Sequence, residues 1–119
     1  MTNDYFLNKM NYQHKNLLDG KWFEFSLAEQ MANVGAEIGR AINWRKKEKY
    51  DYSQQAFFRG LELLSLTIDD SKNKKRLKEL CRLKEILGDY FIGENEYNSD
   101  DEFFEKYFYS FNYLARNRC

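Results

Sequence analysis

Not one of the 119 residues is proline. Proline removes a backbone donor and breaks helices, so its absence predicts long uninterrupted helices joined by short connections. Capping signatures then divide the chain. Ser26-Leu27-Ala28-Glu29 has capping-box spacing, with a serine oxygen for the first free amides and a glutamate three residues on. Phe25 stands where a hydrophobic staple would, and a start one turn earlier, near Trp22, fits the same periodicity. Leu27, Met31, Val34, Ile38 and Ile42 form one apolar stripe. Ala28, Ala32, Gly35 and Gly39 run beside it, and small residues in register let a neighbouring helix approach closely. Each glycine costs a helix about 1 kcal/mol against alanine, which close packing would offset.

The turn Arg45-Lys46-Lys47-Glu48-Lys49 ends this helix with cations near its negative end. Asp51 to Gln54 offers a second capping-box-like start. The helix that follows, to about Ile68, carries Ala56, Phe57, Leu61, Leu63, Leu64, Leu66 and Ile68. These leave only a polar edge of Gln54, Gln55, Glu62 and Asp69, so this helix is expected to be the most buried. Asp69-Asp70-Ser71 would cap a third helix from Lys72 to Ile92, with Gly93 as its stop. Its apolar positions are Leu77, Leu80, Cys81, Leu83, Ile86, Leu87, Tyr90 and Phe91. After a polar loop, Ser99-Asp100-Asp101-Glu102 repeats the capping box. The last helix, to about Arg116, presents Phe103, Phe104, Tyr107, Phe108, Phe111, Leu114 and Ala115. The fold class implied is all-α, an antiparallel up-down four-helix bundle over residues 21–119. Residues 1–20 form an N-terminal arm or short helix closed by the turn Asp19-Gly20.

Charge and composition narrow the function. Nineteen basic residues balance nineteen acidic ones, so only a local patch can recognise a charged partner. No apolar run approaches the roughly 20 residues that span a bilayer, so no membrane partner is expected. Residues 1–10 include Asn3, Asp4, Asn8 and Lys9, which is not signal-peptide chemistry. Cys81 and Cys119 have neither metal nor redox spacing, and Cys81 falls on an apolar stripe as a small core residue. A reduced, cytoplasmic protein is the simple expectation.

Catalysis lacks its parts. Di-metal sites in bundles take Glu-x-x-His pairs from facing helices. The one histidine, His14, lies in the arm, and Glu29, Glu37, Glu62, Glu79 and Glu85 lack that spacing. No serine or cysteine has another imidazole to activate it. Gly35-Ala36-Glu37-Ile38-Gly39 lies within a helix and reads as a packing notch, not a phosphate loop. A non-enzyme without metal or cofactor is expected.

One resemblance touches part of the chain, and the motif of one further family is absent from it. Tyr50, Ser53, Phe57, Gly60, Leu61 and Leu63 fall where the second helix of a tetratricopeptide repeat places its aromatic, small and leucine positions. The stretch resembles one copy of that repeat over about 20 residues. Glu48 and Asp70 stand near the places of its glycine and proline. The resemblance implies a helical hairpin, since one repeat cannot build a solenoid. Small helical ribonucleases of the HEPN type place an arginine shortly before a histidine on a late helix. Here Arg82, Arg116 and Arg118 have no histidine after them. A HEPN-like RNA-acting protein with a degenerate active site is therefore one alternative.

Charge geometry gives the main functional lead. Between Lys72 and Lys84 stand Lys72, Lys74, Lys75, Arg76, Lys78, Arg82 and Lys84 against one anion, Glu79. Cations at a helix N-terminus oppose the macrodipole, so they are not there to stabilise the helix. In an antiparallel bundle this segment lies beside the end of the last helix, with Arg116 and Arg118. Glu94, Glu96, Asp100, Asp101 and Glu102 gather at the opposite end, beside Arg45 to Lys49. The basic end is either a solvated turn or a contact for RNA, DNA or an acidic partner, weakened by removing Lys74, Lys75 and Arg76. Tyr109, Tyr113 and Phe58 lie outside the core arcs and are candidate interface anchors. The combined expectation is a helical binding module, a homo-oligomer or accessory subunit. A structural protein–protein adaptor is the second alternative.

Overall fold

A computed structural model of the chain describes residues 20–117. The arm before Gly20, His14, Arg118 and Cys119 lie outside the described residues. Four helices pack against one another: α1 (Leu27–Lys46), α2 (Tyr50–Asp69), α3 (Leu77–Phe91) and α4 (Asp101–Asn117).

The Ser26 capping box forms in full. The Glu29 amide donates to Ser26 Oγ at 3.1 Å, and the Ser26 amide donates to Glu29 Oε1 at 2.8 Å. Before it, Lys21–Glu24 make a short 3-10 turn that buries Trp22, entered through Gly20 at φ 107°. A left-handed residue there favours glycine, which has no Cβ to clash.

Three of the other expected helix ends differ. α2 begins at Tyr50, and its cap, Lys49, supplies no side-chain hydrogen bond, so the box at Asp51 to Gln54 is not used. The connection is too short for it: Glu48 turns the chain at φ 61°, and the Lys49 amide still bonds Trp44 O at 2.9 Å. Ser71–Arg76 is a 3-10 segment, and α3 starts only at Leu77. The tighter winding follows from Asn73, whose amide bonds Asp70 O and whose buried side chain is drawn inward. α3 ends at Phe91, just before Gly93 as expected, and the left-handed positions beyond it are Asn95 and Asn98. Asp89 accepts the Glu96 and Tyr97 amides, and Asn95 bonds both backbone groups of Ser99. With Ser99 engaged, Asp100 caps α4 by accepting the Phe103 amide at 2.8 Å.

α1 is central, packing along α2 on one side and α4 on the other, while α2 meets α3. Ser53 Oγ donates to Ala41 O, Arg59 bonds Glu37, and Gln30 reaches Asp70, so α1 and α2 run in opposite directions. Gly35 lies against Phe108 while Lys46 reaches Glu105, which gives α1 and α4 the same relation. Tyr90 bonds Asp101 and Tyr107 bonds Glu79 between α3 and α4. Met31, Val34, Ile38, Ile42, Phe57, Leu64, Leu80, Leu87 and Phe104 fill the middle.

α2 is the most buried helix: Gln54, Gln55 and Asp69 of its expected polar edge are exposed, but Glu62 is only 2% exposed. On α3 the buried line is Leu80, Leu83 and Leu87 alone. Cys81 and Leu77 fall to one side of that line and are exposed, which corrects the reading of Cys81 as a core residue. Phe103 and Leu114 flank the Phe104–Phe108–Phe111 stripe of α4 and are exposed as well. Phe58 is half-buried and packed onto the core, its ring 5.5 Å from that of Phe57, so it is not a free anchor. Among the described residues no helix is long and apolar enough to cross a membrane.

Candidate nucleic-acid interface

The segment that carries the cations is fixed by a buried polar knot. Gln30, fully buried on α1, donates through Nε2 to Trp22 O at 3.0 Å and to Asp70 Oδ2 at 2.9 Å. Its Oε1 accepts from Asn73 Nδ2 at 2.9 Å, and the same amide donates to Thr67 O. One side chain thus ties the start of α1, the end of α2 and the 3-10 segment together. Burial alone would raise the Asp70 carboxyl, but hydrogen bonds from Lys72 and Gln30 outweigh it and hold it below the ordinary carboxylate value.

That shift has a sign for stability. A folded-state value below the unfolded one contributes stability that is complete above the ordinary carboxylate range, about pH 4. It is lost as pH falls through the depressed value. Melting temperature should therefore fall with acid below about pH 4, and Asp70→Asn should flatten that fall while lowering the neutral-pH plateau. An unchanged acid slope in the variant would show that Asp70 is not the titrating group.

The knot also sorts the seven cations. Lys72 Nζ bonds Asp70 Oδ2 and Phe23 O, so it closes the knot. Arg76 Nε bonds Glu79 Oε1 at 2.8 Å, and its guanidinium lies 5.9 Å from the Phe111 ring centroid. Tyr107 OH donates to the other Glu79 oxygen at 2.8 Å. The Arg76 hydrogen bond draws Glu79 below its usual range, and burial pushes the Tyr107 hydroxyl well up. Lys72 and Arg76 are thus structural cations, joining the segment to α2 and to α4.

Lys74, Lys75, Lys78 and Arg82 behave differently. All four are exposed, and none forms an ion pair among the described residues. They ring a shallow depression floored by Leu77 and Cys81 and bounded by Glu85. Lys84 is exposed two residues beyond Arg82. Arg116 is exposed in the last turn of α4, whose nearer turn is linked to this segment by Arg76 and Phe111.

Tyr109 and Tyr113 are 66% and 57% exposed on the outer side of α4. Tyr109 edges a groove of about 240 Å³ between α4 and the small residues Ala32, Ala36 and Gly39 of α1. At the far end Arg45 lies over the Tyr90 ring at 4.8 Å, and Tyr90 OH donates to Asp101 at 2.6 Å. Burial and that carboxylate push the Tyr90 hydroxyl up to about 12. No group of three or more His, Cys, Asp or Glu suited to a metal occurs among the described residues.

Comparison of the chain with protein-family models, with curated proteins and with solved structures found no match.

Gln30 and Asn73 position the site without having stood out in the sequence, whereas Glu79 stood out only as the one anion among the cations. Gln30 occupies a position on the buried side of α1 between Leu27 and Val34, and a polar residue on an apolar face is the signal that would have singled it out.

Proposed function

We propose that the chain is a non-enzymatic binding module that holds the phosphate backbone of a nucleic acid on the outward face of α3. The observation that supports this is the stripe of Lys74, Lys75, Lys78 and Arg82, exposed and forming no ion pair among the described residues, on a segment anchored by a buried knot. Cations one helical turn apart are spaced by about 5.4 Å, close enough to reach several phosphates of one backbone. Among the described residues no aromatic ring lines the depression, so they offer no stacking platform for bases. Contact through charge alone positions a backbone without reading its sequence.

The test is titration of labelled duplex and single strands across a salt series. Lys74→Ala, Lys75→Ala and Lys78→Ala are combined, and Arg76 is left in place because it holds Glu79. Each duplex phosphate contact contributes about 0.9 to the slope of log affinity against log salt. The triple variant should lose roughly 2 to 3 from that slope, and binding should be indifferent to sequence. Equal affinity and slope in the variant would refute the assignment. Binding of an acidic protein instead, with none to nucleic acid, would move the same face to the other partner.

A further inference from the structure

The outward surface of the 3-10 segment and α3 changes sign along its length. Lys74, Lys75, Lys78 and Arg82 border one shallow depression, and Glu85, Asp89 and Glu96 border a second. Glu85 lines both, so the two are continuous on one surface. The acidic half is built, not incidental. Both oxygens of Asp89 accept backbone amides, from Glu96 at 2.8 Å and from Tyr97 at 3.0 Å, which pins the loop beside the helix. Each half also presents an exposed apolar group, Leu77 at 41% in the basic half and Tyr97 at 46% in the acidic half.

A surface with opposite charge in its two halves is complementary to itself after a half-turn. A two-fold axis midway between Arg82 and Glu85 sets two copies of α3 antiparallel. Arg82 then faces Glu85 of the second copy, and Lys78 faces its Asp89. Tyr97 of the second copy, held beside Glu85 and Asp89, comes over the floor of Leu77 and Cys81. The geometry points to a homodimer in which α3 pairs antiparallel with α3 of a second copy, an isologous contact. Charge complementarity chooses the occupant of the whole face: a second copy matches both halves, whereas a nucleic acid would use the basic half alone and compete with the second copy for Lys78 and Arg82.

This inference concerns the same helix as the nucleic-acid reading but does not require it. Opposite charges across an interface fix register and speed association more than they add affinity. One helix of 15 residues is about 22 Å long, which places the contact at the small end of specific interfaces. The dimer is accordingly weak and salt-sensitive, with dissociation in the range of roughly 10 to 100 μM.

Sedimentation equilibrium on the purified chain, without nucleic acid, tests it. At about 0.05 M salt the chain should dimerise across that concentration range, and at about 1 M it should shift toward monomer. Arg82→Glu and Glu85→Arg each set like charges across the axis, and each should weaken association about tenfold or more. The double variant Arg82→Glu with Glu85→Arg restores opposite charges and should recover the wild-type constant. Circular dichroism checks that all three are folded, as exposed positions should be. A monomer at every concentration, a dimer unaffected by the single changes, or a double variant no better than the singles would each overturn the proposal. Because no nucleic acid is present, failure here leaves the binding test of the basic face untouched.

Discussion

Gln30→Leu is expected to lower the unfolding free energy by about 3 kcal/mol, although leucine nearly matches glutamine in volume. No cavity opens, so the cost comes from polar groups. The change removes donation to Trp22 O and Asp70 Oδ2 and leaves Asn73 without its acceptor on α1. A typical hydrogen bond contributes about 0.5–1.5 kcal/mol net, one to a charged group about 1.5–3, and an abandoned buried partner costs more. Asp70 keeps Lys72, which limits the loss. Urea denaturation should show a lower midpoint at constant slope. Hydrogen exchange should show the amides of Ser71–Arg76 losing protection first, because Gln30 is their tie to α1. A loss under about 1 kcal/mol would mean that the knot orders the segment without stabilising the fold.

Gly35 and Gly39 are one turn apart, yet substitutions there should act with opposite sign. A Cβ at Gly35 would stand 2.7 Å from Phe108 Cβ and 2.8 Å from its Cγ. Those atoms are at the root of the side chain, so α4 itself must move. Overpacking of this kind costs about 1–3 kcal/mol, and the β-branch of valine takes it to the upper end. Gly35→Val should therefore destabilise by about 3 kcal/mol despite the helix propensity it gains. At Gly39 nothing among the described residues lies within 4 Å of the added atom, so Gly39→Ala should stabilise by about 0.5–1 kcal/mol. Thermal melts of the two variants decide it, and a neutral Gly35→Val would mean that α1 and α4 separate more easily than their contact implies.

The contrast shows what a sequence conveys and what it withholds. Periodicity placed the four helices and the Ser26 cap, because those depend on residues within one turn of each other. The small-residue notch was legible as a notch, but which glycine lies under the neighbouring helix depends on the rotation of α4 about its axis. Cys81 was misplaced for the same reason: it lies one position around α3 from the line of Leu80, Leu83 and Leu87. The cation cluster was visible as a run of charge. Its division into structural and free members was not, since Lys72 and Arg76 are claimed by Asp70 and Glu79 through side-chain geometry. Glu62 was assigned to a polar edge because a count of apolar residues says little about how completely neighbouring helices wrap one helix.

The place of α1 between α2 and α4 has a consequence for how the molecule is made. Its first partner is the next helix to leave the ribosome, whereas the second is separated from it by all of α2 and α3. At about 5–20 residues per second, Gly35, Ile38 and Ile42 wait roughly 3–15 seconds for Phe104 and Phe108 to arrive. During that interval the side of α1 that α4 covers stays open, so the fold is completed only by the last helix to be made.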